Sequence, residues 1–371
     1  MGAKRESLFP SNALQLSDKS KPSDPNGGAI PQKMGFLGFP RDSRHGRSYD
    51  TNPRITLELF EVERLDRFWQ FIYERQRLWQ KRFFERSEFP WTADPILKSV
   101  HFTNVYRELD PGTQYALASI LERSAPKPDK VFNVMLYRLI GREETHSKIG
   151  FQFLSKFSPR ELERSLKNIR HESTIPIFTG AYTVSAFSGM GSDDKVENVV
   201  RLLDLLHRRF NTFYNQLAKS SSAERAFRNL CNAYGFGVFL AYQVLVDLLY
   251  PLDSNNGKPL LPFSHDDWAA AGPGARKGIL ALVKTGVKTH DLDVMRWLRA
   301  NQDSEFARLG LRFPFLRDLS GNPIDLTLAN IQNCLCEYYK YLKIRSGTGR
   351  RRRFVPPVRD DQDSLFPKSL E

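Results

Sequence analysis

The chain has 371 residues, 40% of them hydrophobic and 26% charged, which is enough apolar material for a large core in one domain or two. Lysine and arginine outnumber acidic residues 55 to 42, and the resulting net charge of +13 favours polyanionic partners while leaving the fold open. A membrane span, a secretory signal, a disulfide scaffold and a zinc site are not expected. The longest apolar stretch, 238–250, is broken by Gln243 and Asp247, the sequence opens on polar residues, and Cys231, Cys334 and Cys336 form no CxxC pair. No cofactor or metal is implied, and the compartment is a reducing one.

Residues 1–53 are rich in Ser, Pro, Gly, Asp and Lys without sustained periodicity and read as a disordered tail. The stretch 346–371 reads the same way and holds the run Arg350-Arg351-Arg352-Arg353, a solvated tail, a nuclear address or a DNA-gripping arm. The tails carry +3 and +2 of the surplus, so +8 belongs to residues 54–345. There the dominant period is helical. Over 57–84, Leu65, Phe68, Trp69, Ile72, Trp79 and Phe83 fall on one face. Beside them Arg64, Arg75, Arg82 and Arg86 lie within about 40° of each other at 100° per residue. That row is either a solvated flank or a stripe that tracks phosphates.

Two prolines around Trp91 then force a turn, with Asp94 ahead of Pro95, into a helix where Asn104, Arg107 and Glu108 share a face beside Tyr106. Amide, guanidinium and carboxylate together can read a base edge or hold a phosphate, or can fasten the N-terminal helix. Further helices are predicted over 113–123, 130–144, 159–170, 196–218, 223–231, 239–250, 275–285, 291–301 and 326–344, with Asp110-Pro111 and Ser158-Pro159 as starts. Between two of them, Gly235-Phe236-Gly237 is a turn whose following helix can offer free N–H groups to an anion, although a tight helix–helix turn needs the same residues. A second glycine-rich turn, 271–278, places Arg276 and Lys277 in a first helical turn, after Asp266 and Asp267, either of which can act as a base or a cap. Finally Asn333, Glu337 and Lys340 lie on one face of the last helix, among tyrosines that suit packing against a neighbour.

Five stretches in this order resemble the helical domain of 5-hydroxymethyluracil DNA kinases, also described as the alpha-glutamyl/putrescinyl thymine pyrophosphorylase group. They are PWTADPIL at 90–97, FTNVYRELD at 102–110, GFGVFLAYQVLVDL at 235–248, DDWAAAGPGARKG at 266–278 and IQNCLCEYYKY at 331–341, and the likeness covers residues 57–345. The resemblance implies an all-α, multi-helix domain related to helix–hairpin–helix DNA glycosylases, flanked by tails. It also implies a protein that binds DNA, duplex with a flipped or modified base, and processes or presents a modified thymine. Carried onto this sequence, Asp267 or Asp247 is the acid of the pocket with Arg107 beside it. Trp91, Asp94, Asn104 and Tyr106 form the base pocket. Gly235 and Gly237 hold phosphate, with Arg276, Lys277, Arg64, Arg75 and Arg82 as further DNA contacts. GxxxxGK[ST] is met nowhere, so ATP-dependent phosphotransfer is not inferred, and no lysine follows the hairpin where a glycosylase would form a Schiff base. The alternative is a non-catalytic module that reads a modified base. The arginine run and the reducing compartment point to an intracellular, nuclear protein.

Overall fold

Apolar residues recurring at three and four positions give fourteen α-helices among the described residues and no strand, only isolated bridges such as Phe60 with Val283. The structure, a computed structural model, describes residues 32–41, 51–172, 176–180, 190–349 and 354. The rest of both expected tails, Arg350–Arg353 included, lies outside the described residues. Within the segment expected as the N-terminal tail, residues 32–41 pack on the domain. Phe36 and Phe39 are buried, their rings 6.4 Å from Trp79 and 6.3 Å from Tyr106. Two phenylalanines close together anchor a stretch whose overall composition is polar.

Helix α1 (Val62–Trp79) buries the expected stripe and ends in a π-helical turn over Gln80–Phe84. Short helices α2 (Pro95–Ser99) and α3 (Pro111–Ala116) follow, each with proline in its first turn. Helix α4 (Lys127–Ile140) is buried from Asp129 onward. Helix α5 (Glu143–Ile149) packs on it and on α6 (Pro159–Glu172), which buries Leu162, Leu166 and Ile169 and packs in turn on α7 (Lys195–Arg208). The expected helix over 196–218 breaks at Arg209, so that α8 (Phe210–Ala218) packs on α4. Helices α9 (Ala223–Cys231) and α10 (Val238–Leu248) pack together across the glycine turn.

Helix α10 is apolar nearly all round, as a core helix should be, and it crosses α4. Inside that contact Arg138 of α4 grips Asp247 of α10 with two hydrogen bonds, Nε to Oδ2 at 2.6 Å and Nη2 to Oδ1 at 2.5 Å. The chain closes with α11 (Pro273–Leu282), α12 (Asp291–Ala300), α13 (Gln302–Arg308) and α14 (Leu328–Arg345). Helix α14 is the strut against which α1, α2, α11 and α12 lie. It comes closest to α11, and two glycines are the cause. A Cβ at Gly278 would stand 2.3 Å from the Leu335 carbonyl oxygen, and one at Gly274 would stand 2.5 Å from Cys336 Sγ. The second glycine-rich stretch thus serves helix-to-helix approach.

Candidate functional site

The site is built on the end of α1. Arg75 and Arg82 stand two turns apart and face the same side. The π-helical turn that carries Arg82 widens the helix shortly before the Phe89–Thr92 loop. Opposite runs the segment 101–104, where a helix was expected. Its backbone is irregular, and only Arg107–Leu109 makes a single 3-10 turn, so Asn104, Arg107 and Glu108 do not share a helical face. The polar face of α14 explains the difference. Glu337 accepts the Thr103 N–H at 3.2 Å, Asn333 donates to the Asn104 carbonyl at 3.2 Å and Thr103 Oγ1 at 2.9 Å, and Lys340 donates to the His101 carbonyl at 2.7 Å. Side chains satisfy backbone groups that a helix would otherwise pair.

Between these elements lies a cavity of about 300 Å³, at the small end of the ~300–1,000 Å³ typical of ligand sites. Its walls are aromatic: Phe36, Trp79, Phe89, Trp91, Phe102 and Phe354. Phe354 returns from beyond α14, its N–H donating to the Ser99 carbonyl at 2.9 Å and its ring 6.1 Å from Trp91. Trp91 is fixed by its own indole N–H, which donates to the Ser87 carbonyl at 2.9 Å.

Four charged groups line this space: Arg75, Arg82, Lys98 and Asp110. Arg75 is only 5% exposed; it donates to the carbonyls of Thr103 and Asn104, and its Nε has no partner. Arg82 lies among three rings, its Cζ 4.6 Å from Phe83, 5.3 Å from Trp91 and 5.6 Å from Phe354. It makes no hydrogen bond or ion pair among the described residues, its Nε is buried, and desolvation lowers its pKa to about 10. Asp110 was expected to cap α3, but its carboxylate does not; Oδ1 accepts the Asn104 N–H at 2.8 Å instead, and Oδ2 has no partner among the described residues. Burial raises the Asp110 pKa to about 7, against the pull of that N–H and of Arg107 and Arg75. Neither arginine is ion-paired among the described residues.

Of the residues singled out in the sequence, the structure therefore brings Arg75, Arg82, Trp91 and Asn104 to one cavity. The others lie elsewhere. Asp94 caps α2 through the Ile96 and Leu97 N–H groups and accepts the Tyr341 hydroxyl at 2.6 Å. Tyr106 is fully buried, its hydroxyl donating to the Ile324 carbonyl at 2.6 Å. Arg107 is buried and donates to Gln243 Oε1 at 2.6 Å, one turn before Asp247 on α10. Asp267 is exposed and closes a turn, accepting from the Ser264 N–H at 2.9 Å and hydroxyl at 3.0 Å. Gly235 (φ +83°) and Gly237 form the α9–α10 turn. Arg64, Arg276 and Lys277 are exposed, with Arg276 3.7 Å from Asp291. The cavity residues missed in the sequence are Asp110, Phe36 and Phe354. Asp110 looked like an ordinary cap ahead of proline, and the two phenylalanines sit in segments read as tails.

Among the described residues no group of three His, Cys, Asp or Glu could hold a metal, and no helix is long and apolar enough to cross a membrane. The chain is thus an all-helical domain with an aromatic cavity that carries two guanidinium groups, neither in an ion pair among the described residues, and one secluded carboxylate. The chain belongs to the family described as 5-hmdU DNA kinase, helical domain, whose profile matches residues 62–351. It is 27% identical over 312 residues to the 5-hmdU DNA kinase of Bacillus phage SP10, an alignment covering 81% of this chain and 48% of that protein. The chain thus spans about half the length of this curated relative. No solved structure matches it.

Proposed function

We propose that this domain binds DNA carrying a modified thymine of the 5-hydroxymethyluracil type, takes the everted base into the aromatic cavity, and there processes or presents it. The observation that carries this reading is the cavity itself, with Arg75 and Arg82 unpaired on aromatic walls beside Asp110. Aromatic walls recover the unstacking cost of eversion, and a guanidinium without a carboxylate partner suits an anionic group attached to the base or its backbone. The relative's name, 5-hmdU DNA kinase, supplies the substrate class. Asp110, with its pKa near neutrality, is the group placed to take or hand over a proton.

A non-catalytic reading is favoured by one observation: the three residues carried over as catalytic are occupied elsewhere, Asp247 by Arg138, Arg107 by Gln243 and Asp267 by Ser264. The test compares duplexes containing 5-hydroxymethyluracil or thymine, with 2-aminopurine beside the target as a reporter of unstacking. Wild type is expected to bind the modified duplex more tightly with a rise in fluorescence. Trp91→Ala and Arg82→Ala should weaken that binding by about tenfold, in line with ~1–3 kcal/mol per stacked base. Equal affinity for both duplexes with no fluorescence change would sink the proposal. Binding with eversion, but no product from any phosphoryl or amine donor, would establish the reader over the enzyme.

A further inference from the structure

Lys340 marks one rim of the cavity, its ammonium 4.5 Å from the centre of the Phe102 ring. Three residues on, ~4.5 Å along the axis of α14, Lys343 begins a group of cations where α1, α11 and α14 pack together. Lys343 and Lys277 both reach the ring of Tyr339, at 5.9 and 5.4 Å from its centre. On the adjoining side the Tyr338 hydroxyl donates to the Arg64 carbonyl at 3.4 Å, and the charges of Arg67, Arg345 and Arg64 all act on that phenol. Arg67 has Glu63 at 3.7 Å. Arg64, Lys277, Lys343 and Arg345 are exposed and form no ion pair among the described residues.

Several basic side chains elsewhere on the surface are paired. Lys167 meets Glu163 and Glu197, Arg170 meets Asp194, Arg208 meets Asp204, and Arg228 meets Glu224. The α9–α10 turn, expected to grip phosphate, presents apolar side chains instead, with Tyr234 58% and Val238 50% exposed. Like charges set near one another without an ion pair, Lys277 with Lys343 and Arg64 with Arg345, repel, and a polyanion relieves that repulsion.

We infer that two cation pairs flanking α14, Lys277 with Lys343 and Arg64 with Arg345, form the track for the DNA backbone beside a base held in the cavity. The inference rests on the DNA reading above and adds where the duplex lies. Lys343 stands about one turn from the rim at Lys340, so a strand whose base enters past Phe102 carries its flanking phosphates past these pairs. The contacts would be to phosphate, blind to sequence and steeply dependent on salt.

The experiment titrates a 5-hydroxymethyluracil duplex by fluorescence anisotropy at several salt concentrations. The double variants Lys277→Ala/Lys343→Ala and Arg64→Ala/Arg345→Ala should each lower the slope of log K against log salt by about 1.8, at ~0.9 per phosphate contact. Each should also weaken binding about tenfold. A control, Lys148→Ala/Lys219→Ala, removes the same charge from other exposed positions and should change neither quantity. Unchanged slopes in both doubles while wild type binds would overturn the track and leave the cavity reading intact. An equal loss in the control would reduce the effect to net charge and overturn it as well. If the doubles lose slope while Trp91→Ala binds normally, the track stands and the cavity reading fails.

Discussion

Asp247 separates a structural acid from a catalytic one, and its replacement has a size that the structure sets. Its side chain is 1% exposed, and that of its partner Arg138 is 11% exposed. Two hydrogen bonds of 2.6 and 2.5 Å join them inside an apolar helix contact. Asp247→Ala leaves a guanidinium buried without its counter-charge, and breaking such a pair from one side costs ~3–5 kcal/mol. For a chain of this size, at roughly 2 °C per kcal/mol, the melting temperature should fall by about 6–10 °C. Replacing both partners with apolar residues, Arg138→Met with Asp247→Leu, should recover most of the loss because no charge is then stranded. Circular dichroism at 222 nm through thermal and urea unfolding reads these differences, and DNA binding by the folded variants is measured alongside. An Asp247→Ala protein that melts with wild type yet loses every trace of turnover would refute this reasoning and return the residue to an active site.

Three further outcomes are expected. Gly278→Ala should destabilise by ~1–3 kcal/mol in urea unfolding, because its Cβ meets the Leu335 backbone, whereas Gly237→Ala enters open space and should stay within about 1 kcal/mol. Glu108 is buried with Oε2 unpartnered and burial lifts its pKa from 4.5 to about 7, so the native state holds the proton more tightly than the unfolded chain. Wild type should therefore lose stability relative to Glu108→Gln as pH rises from about 4.5 to 7, by up to ~3 kcal/mol at ~1.4 kcal/mol per pKa unit, and a difference that is flat with pH would contradict this. Asp110 should lower affinity for anionic DNA as it ionises near pH 7, so wild-type binding falls through neutrality while Asp110→Asn, followed by anisotropy from pH 6 to 8, stays level.

The helical class was legible because long amphipathic stretches such as 159–170 carry their period in the residues themselves. The segment 101–110 was not. Its residues suit a helix locally, and what prevents one is a row of side chains on α14, more than two hundred residues away. The same distance hid the cavity. Arg75 and Arg82 were legible as a row on α1, but that they face Trp91 and Asp110 depends on how α14 holds the intervening loop. Asp247 offered a usable sign that was missed: a lone acid in an apolar helix, with a lone arginine deep in another, Arg138, points to a buried pair. The glycines of the stretch 271–278 read two ways for a physical reason. A turn that opens toward an anion and a helix that must approach its neighbour both select glycine, and only the position of Leu335 decides between them.

Where this fold leaves charge unsatisfied is itself an argument about use. Deep inside, guanidinium groups are answered: Arg138 by Asp247, Arg299 by Asp266 and Asp325, Arg107 by Gln243. A few buried polar atoms elsewhere lack partners, such as Glu108 Oε2 and His146 Nε2. These groups can shed their charge, since burial raises one pKa to about 7 and lowers the other to about 4. Arginine cannot do so at neutral pH. Desolvating Arg82 without a counter-ion therefore costs stability with no route of escape, and Arg75 beside it meets carbonyls, a hydroxyl and a thiol, all of them neutral. A third cation, Lys98, stands in the same cavity, 5.5 Å from the Phe89 ring. One carboxylate, Asp110, lines that space, and at neutral pH it is only partly ionised. Such a deficit of negative charge is relieved when an anion enters, so the ligand should be held most tightly through its negative group and only then sorted by its ring.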